Sequence, residues 1–258
     1  MRRHDMKIDI DDYSRKWLEE SKKDVSFEFI LAEVRRKQVL SSLSKYGHKN
    51  ILEIGSGLMP LFPYCDYEQY VIVEPSEEFV RYTKGLAAKK PNVLVIQGYI
   101  EDIYEELLDI GDFDFIIASS LLHEVPQPRR LLQSIFRLCK PHTVVHINCP
   151  NIYSFHRLLA YEMGLIGDIS EKSKTEIDFQ RHTRFDMRSL IRMVEEEGFQ
   201  VLAQGTYFIK PFTNEQMEKI IANNIVSKEV ITGLEHMTKY MPDMGCEMFV
   251  EVKIKDNQ

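Results

Sequence analysis

From residue 50 to residue 149, short apolar runs rich in β-branched residues alternate with longer segments of helical spacing. Strand–helix alternation of this kind points to a parallel sheet, and no other feature of the chain restricts the fold so far. NILEIG (50–55) reads as a buried strand and YVIVEP (70–75) as a second. EEFVRYTKGLAAKK (77–90) has helical spacing and ends before Pro91. NVLVIQG (92–98), DFIIASS (114–120) and TVVHINC (143–149) are the next three strands. PRRLLQSIFRLCK (128–140) places Leu131, Leu132, Ile135 and Phe136 on one helical face. Ahead of the first strand, residues 13–46 read as an amphipathic helix. Beyond Pro150 the pattern loosens, and residues 151–184 hold one helix-like piece and a polar run, as a lid or binding loop would. DMRSLIRMVEEEGF (186–199) predicts a helix stopped at Gly198. A strand, a helical stretch over 213–240 and a closing strand CEMFVEVKI (246–254) follow.

A length of 258 residues suits one α/β domain with additions, or two small domains. The formal net charge of -7 argues against a broad nucleic-acid-binding surface. Cys65, Cys139, Cys149 and Cys246 form no CxxC pair, so neither a zinc cluster nor a disulfide framework is indicated, and no metal site is expected. The opening MRRHDMKIDIDDY lacks the apolar core of a signal peptide, and no stretch has the apolar length of a membrane span. A cytoplasmic protein with no membrane partner is the expectation, and a homodimer is left open.

The stretch ILEIGSGLMPL (51–61) carries the strongest functional signal. Glycines after a strand let backbone approach a ligand, and a helix N-terminus beyond them would offer free N–H groups. The dinucleotide pattern G-x-G-x-x-G is incomplete here, because Pro60 stands at the third position. Glu74 ends the next strand about twenty residues on, where an acid accepts hydrogen bonds from ribose hydroxyls.

LEIGSG resembles the first motif of class I S-adenosylmethionine-dependent methyltransferases, and VIVEPS, with Glu74 and Pro75, their second. VIQGYIED is similar to the adenine-binding turn, FDFIIASSLLHEVPQP to the strand-four motif and LCKPHTVVHINCPN to the strand-five region. The resemblance implies an α/β fold: a Rossmann-like, seven-stranded, mostly parallel sheet with an antiparallel last strand and helices on both faces. Residues 1–46 would form an N-terminal helical cap. Residues 47–258 would form the methyltransferase domain, with a lid at 151–184 and a helical insertion at 213–240. It further implies S-adenosylmethionine as cofactor, its methionine part against Gly55, Ser56 and Gly57, with Glu53 fixing the turn. Glu74 and Pro75 would border the ribose. Tyr99 stands where many members carry the adenine-binding acid, so Glu101 or Asp102 takes that role, with the Ile100 N–H beside it. The carbonyl near Ser119 would receive the methionine amine. Met59 replaces a third glycine, which would set the helix start further back.

Methyl transfer from a sulfonium rests on placement and exclusion of water, but a hydroxyl acceptor also needs its proton removed. His123, in LLHEV after the fourth strand, is the candidate base, with Glu124 orienting its ring or facing solvent. Asn151, His156, Arg181 and His182 are candidates for holding the acceptor, as is Tyr13 on the N-terminal helix, where Trp17 is read as packing. His182 is also a possible second base. Arg181 and Arg184 suggest an anionic acceptor unless they pair with nearby Asp178 and Asp186. SSLL stands where base-methylating enzymes carry [N/D]-P-P-[Y/F], and the lid segments resemble methyltransferases found with bacterial surface-polysaccharide synthesis. The expected activity is transfer to an oxygen of a small anionic acceptor such as a sugar, a nucleotide-linked sugar or a phosphate-type group. The alternatives are an NAD(P)-dependent oxidoreductase on a Rossmann sheet and a non-catalytic S-adenosylmethionine-binding protein.

Overall fold

Seven strands form one sheet in the order β3-β2-β1-β4-β5-β7-β6. They are β1 (Asn50–Ile54), β2 (Gln69–Glu74), β3 (Val93–Gln97), β4 (Phe115–Ser119), β5 (Val144–Pro150), β6 (Phe199–Tyr207) and β7 (Glu247–Ile254). Strands β1 to β5 pair in parallel, and β7 runs antiparallel between β5 and β6. The sheet is therefore the mostly parallel one with an antiparallel last strand that the sequence leads one to expect. This computed structural model describes residues 8–227 and 229–255. Residues 1–7 of the expected cap lie outside the described residues.

Side chains alternate across a strand, and here the alternation sorts chemistry as well as polarity. Leu52, Ile54, Val71, Val73, Ile116, Ala118, Val145, Ile147, Met248, Val250 and Val252 form one apolar face. Helices α4 (Ile100–Leu108), α5 (Pro128–Leu138) and α8 (Met187–Glu196) cover it through Leu107, Leu131, Leu132, Ile135, Leu190 and Val194. The intervening positions face the other way, among them Glu53, Glu74, Ser119, Asn148, Glu247 and Glu251, all but Ser119 buried. Helices α2 (Phe27–Leu43) and α3 (Glu77–Ala87) pack there, with Val39, Leu43 and Val80 against Ile51, Tyr70, Ile72, Phe115 and Ile117. Glu251 is buried on this face without an unmet charge, because Ser42 and Tyr46 donate hydroxyls to its two oxygens.

Two local expectations need correction. Residues 13–46 form not one helix but α1 (Ile10–Glu20) and then α2. The polar run 21–24 interrupts the apolar spacing, and Ser26 caps α2 by accepting the Phe29 N–H at 3.3 Å and donating its hydroxyl to Glu20 Oε1 at 2.6 Å. The glycine turn after β1 does not open an α-helix at all. It runs into a single 3₁₀ turn, Phe62–Tyr64, because Pro60 and Pro63 remove N–H donors and the Leu61 N–H goes instead to Glu53 Oε2 at 3.1 Å. An unanticipated helix, α4, begins where the sequence reads as a turn after β3.

The segment after β5 contains α6 (Phe155–Glu162) and a short α7 (Lys174–Asp178), and α9 (Asn214–Ala222) and α10 (Glu229–His236) fill most of 213–240. Gly245 lets the chain enter β7 closely past β6: a Cβ there would meet Tyr207 N at 2.5 Å and Tyr207 O at 2.6 Å. Gly245→Ala is expected to lower the melting temperature by roughly 5–10 °C, the effect of about 2–3 kcal/mol of overpacking strain in a chain this long. Gly233→Ala, in α10 with nothing within 4 Å, is the control and should be neutral or slightly stabilising in the same melting experiment.

Candidate active site

The chain leaves β1 toward β2 and β3 on one side and returns to β4 on the other, so a crevice opens at the carboxyl ends between β1 and β4. The cavity there is walled by Glu53, Gly55, Ser56, Gly57, Glu74, Pro75, Ile100, Glu101 and Ser119, and covered from α1 and α2 by Tyr13, Trp17 and Arg35. Gly55 and Gly57 have φ of +72° and +52°. At Gly57 it is this left-handed backbone rather than crowding that calls for glycine, since a Cβ would meet nothing within 4 Å. Glu74 stabilises the turn: its Oε2 accepts the Gly57 N–H at 3.0 Å and its Oε1 the Ser76 N–H at 2.9 Å. Each oxygen keeps a lone pair toward the cavity. Burial raises the Glu74 carboxyl to about 7 against the pull of those two N–H groups, and burial raises Glu53 to about 7 as well. Ser56 Oγ is buried with no hydrogen-bond partner among the described residues.

The first turn of α4 closes the opposite end. Ile100 is its first residue, so its N–H has no intrahelical acceptor. Of the two acids left open by the sequence, Glu101 lines the cavity, and burial raises its carboxyl. Asp102 points away and lies 3.7 Å from Arg130. At the end of β4 the backbone of Ser120 is left-handed, with φ of 56°. Asn148 on β5 holds that bend: its Oδ1 accepts the Ser120 N–H at 2.8 Å, and its Nδ2 donates to Ser119 Oγ at 2.9 Å. Arg35 donates to Ser120 Oγ from the other side.

A second chamber of about 350 Å³ lies beside the first, between the start of α2, the 150–184 segment and the entry to β7. His123, His156, Arg181, Lys210 and Glu247 are among its walls. A belt of buried charge contributes to the walls of both spaces. Arg181 lies 3.6 Å from Glu28 and 3.8 Å from Glu124, and Arg35 lies 3.9 Å from Glu247. Glu124 faces the first cavity, where Tyr13 donates its hydroxyl to Oε2 at 2.6 Å. Burial pushes Glu124 up to about 7 in spite of Arg181. His123 lines the second chamber, and both its ring nitrogens are buried without a hydrogen-bond partner among the described residues. Burial, reinforced by Arg181 and Arg35, holds its imidazole well below the usual histidine range and therefore neutral. Its carbonyl accepts the N–H groups of His182 and Thr183 at 2.9 and 3.0 Å, which pins the 180s to the turn after β4.

The nine residues expected around the cofactor thus line one cavity. Those expected around the acceptor divide. His156 and Arg181 share the second chamber with His123. Tyr13 does not join them, because α1 lies over the first cavity and presents it there. Asn151 touches the second chamber, but its side chain is spent on structure: Nδ2 donates to Asp243 O at 3.1 Å and Gly245 O at 3.0 Å, and Oδ1 accepts the Tyr153 N–H at 2.9 Å. His182 contributes its backbone N–H to His123 and its ring does not enter either wall. Arg184 pairs with Glu176 at 2.8 Å, not with Asp186, and Arg181 with Glu28 and Glu124, not with Asp178. Glu124 neither orients His123 by a hydrogen bond, the gap to Nε2 being 3.7 Å, nor faces solvent. Trp17 packs on Phe29 and Phe179 as read, and also borders the cavity. Glu28, Arg35, Lys210 and Glu247 escape the sequence reading. Among the described residues no cluster of His, Cys, Asp and Glu could hold a metal, and no helix is long and apolar enough to cross a membrane.

This topology, with a glycine turn and a strand-end glutamate at the switch point, defines the α/β methyltransferase class of folds. A family model for a methyltransferase domain matches residues 26–204, and the chain belongs to that family. No curated protein is matched. Among solved structures, the plantazolicin methyltransferase BamL, in complex with a triazolic desmethyl analogue and S-adenosylhomocysteine, is 17% identical with a TM-score of 0.59, covering 96% of this chain and 97% of that one. The N-methyltransferase NodS from Bradyrhizobium japonicum, in complex with S-adenosylhomocysteine, is 11% identical with a TM-score of 0.56, over 95% of this chain and all 100% of that one. A SAM-dependent methyltransferase from Archaeoglobus fulgidus is 17% identical with a TM-score of 0.54, over 88% of this chain and 99% of that one. At these identities the likeness is one of fold.

Proposed function

We propose that this methyltransferase uses S-adenosylmethionine to methylate an oxygen of a small, anionic acceptor held in the second chamber. The observation that carries the reading is the pairing of Gly57 with Glu74 at the mouth of β1 and β2. A left-handed glycine turn tied to a buried carboxylate fits a ligand that offers two hydroxyls beside a charged amino-acid tail. The unpartnered Ser56 Oγ and the free N–H of Ile100 supply polar groups toward the two ends of such a ligand. When bound, S-adenosylmethionine supplies a methyl group already activated on sulfur. The protein's own contribution is then to bind, align and dehydrate.

Glu74 and Pro75 would border the ribose, Ile100 and Glu101 the base, and Gly55, Ser56, Gly57 and Ser119 the amino-acid end, with Glu53 bracing the turn from below. Tyr13 and Trp17 close the top and exclude water. His123 is neutral, so it can accept a hydrogen bond from an acceptor hydroxyl and take the proton as the oxygen turns acidic on methylation, burial and the arginines opposing its protonation before then. Three buried carboxylates near the chamber, Glu28, Glu124 and Glu247, favour a second reading, transfer to an amine.

The test has two stages. Calorimetry with S-adenosylhomocysteine should show binding in the micromolar range; no binding at millimolar concentration, together with a protective thermal shift from NAD(H), would turn the assignment to an oxidoreductase. Methyl transfer is then followed by mass spectrometry over sugars, sugar phosphates, carboxylates and amines. Methylation confined to amines would overturn the oxygen assignment, and binding without any product would indicate a protein that holds the cofactor without turning it over.

A further inference from the structure

Two polar residues stand in the middle of β5 and belong to neither cavity's walls. His146 and Asn148 are fully buried, interleaved with Val145, Ile147 and Cys149 of the apolar face. The Asn148 amide is used completely. The Ser120 N–H can only donate, so the amide atom 2.8 Å from it is Oδ1. The other amide atom is therefore the NH₂ group, and its two hydrogens go to Ser119 Oγ at 2.9 Å and His146 Nε2 at 3.2 Å. That last bond sets the state of the histidine: Nε2 accepts, so the ring is neutral and carries its proton on Nδ1. Burial lowers His146 to about 4 despite Glu251, its partner across β7, and so keeps the ring in that state.

The Nδ1–H has no hydrogen-bond partner among the described residues. A phenylalanine would stack on Phe249 as the His146 ring does, 5.8 Å between centroids, and leave no buried donor unmet. What histidine supplies and phenylalanine lacks is one acceptor, aimed at the Asn148 amide. The amide in turn acts on one peptide group. Ser120 has a left-handed backbone, which a residue with a Cβ keeps only when it is held there. Its N–H is held toward β5 by Asn148 twice, by the side chain and by the carbonyl oxygen at 3.1 Å. The peptide is trans, so the Ser119 carbonyl points the opposite way, toward β1. The ladder between β1 and β4 has already ended at Glu53 and Ile117, so that carbonyl meets no strand partner and faces the crevice whose wall Ser119 helps to form.

We infer that Asn148, oriented by His146, is a positioning residue of the cofactor site: it aims the Ser119 carbonyl at the amine of the amino-acid tail of S-adenosylmethionine without touching the cofactor itself. This rests on the reading of that carbonyl as the amine's acceptor. A carbonyl at a strand end that is free to swing must be ordered when the amine arrives, and that ordering subtracts from affinity. Asn148 orders it beforehand, from the far side of the same peptide. The effect is local to the amino-acid end. Glu74, on the ribose side, is held by the Gly57 and Ser76 N–H groups, which take no part in the bonds of Asn148 and His146.

The experiment is a pair of calorimetric titrations of the full chain, one with S-adenosylhomocysteine and one with 5′-methylthioadenosine, which has the same nucleoside and sulfur but no amino-acid tail. Asn148→Ala is expected to weaken S-adenosylhomocysteine roughly 10-fold and to leave 5′-methylthioadenosine within about twofold of the parent. A sheet that was only loosened would weaken both ligands alike, so the split between them separates positioning from stability. His146→Phe keeps Asn148 and the stacking on Phe249 and removes one acceptor; it should weaken S-adenosylhomocysteine roughly 3–10-fold, again without effect on 5′-methylthioadenosine. Should Asn148→Ala not fold, His146→Phe decides with the same two ligands. Parent-like S-adenosylhomocysteine affinity in the folded variant, or an equal loss for both ligands, would overturn the inference. Failure of the parent to bind either ligand would instead count against the methyltransferase reading, so the two failures are distinguishable.

Discussion

Glu74→Ala is expected to weaken S-adenosylhomocysteine binding roughly 100-fold, the equivalent of about 3 kcal/mol of lost charge-assisted hydrogen bonds, with the fold retained. The size follows from two roles in one side chain. The carboxylate keeps a lone pair on each oxygen for the ribose hydroxyls, and it clamps the Gly57 N–H that shapes the turn. Removing it loses both. Glu74→Gln keeps the volume but replaces one oxygen by an NH₂ that opposes either the Gly57 or the Ser76 N–H, so it should be nearly as weak.

The protonation state gives a second readout. In the free protein burial raises Glu74 to about 7, above its ordinary value of 4.5. Hydroxyl donors favour the charged carboxylate, so binding lowers that value and expels a proton between about pH 5 and 7. Affinity should therefore tighten as the pH rises from 6 to 8. Calorimetry in buffers of different ionisation heat should register proton release that Glu74→Gln abolishes. Parent-like affinity in Glu74→Ala would remove this residue from the cofactor site.

His123→Ala is expected to reduce turnover roughly 10²–10⁴-fold while leaving S-adenosylhomocysteine affinity within about twofold. The separation is geometric. His123 walls the second chamber and not the first, and its structural bonds to His182 and Thr183 are made by its carbonyl, which the substitution keeps. Because burial and the neighbouring arginines hold the imidazole neutral, turnover should show no inflection from this group near pH 6.5. Its loss should appear in kcat measured at saturating acceptor. An unaltered kcat would leave catalysis to placement alone.

Most of the sheet and the lining of the first cavity were legible in the sequence because strands announce themselves by period and strand ends by glycine and acid. Glu53, Glu74 and Ser119 fall at alternate positions of apolar strands, and that parity alone sends them to one face. The acceptor side was legible only in part. Glu28 and Arg35 sit among Phe27, Ile30, Leu31 and Val34, where helical spacing gives no sign that two ionisable groups are buried facing each other's partners. Lys210 lies just past the end of β6 and Glu247 opens β7, and their neighbourhood is set by how far those strands run past one another. Asn151 and His182 misled for a related reason. A polar residue after a strand can bind a ligand or tie backbone, and the choice depends on loops that arrive from a distance, here residues 243–245 and 123. The proline pair around the first turn was visible, and its consequence, a 3₁₀ turn in place of a helix, follows from their missing donors.

Helix α2 touches both spaces, with Arg35 in the wall of one and Glu28 in the wall of the other. Seven residues of α-helix separate them, a length of about 10 Å. That rod is fastened at one end by Phe27 packed on Phe208 and at the other by Ser42 hydrogen-bonded to Glu251, so its length is not adjustable. The two walls are thus joined by a rigid rod rather than a loop, so a displacement of one is carried to the other and not absorbed between them.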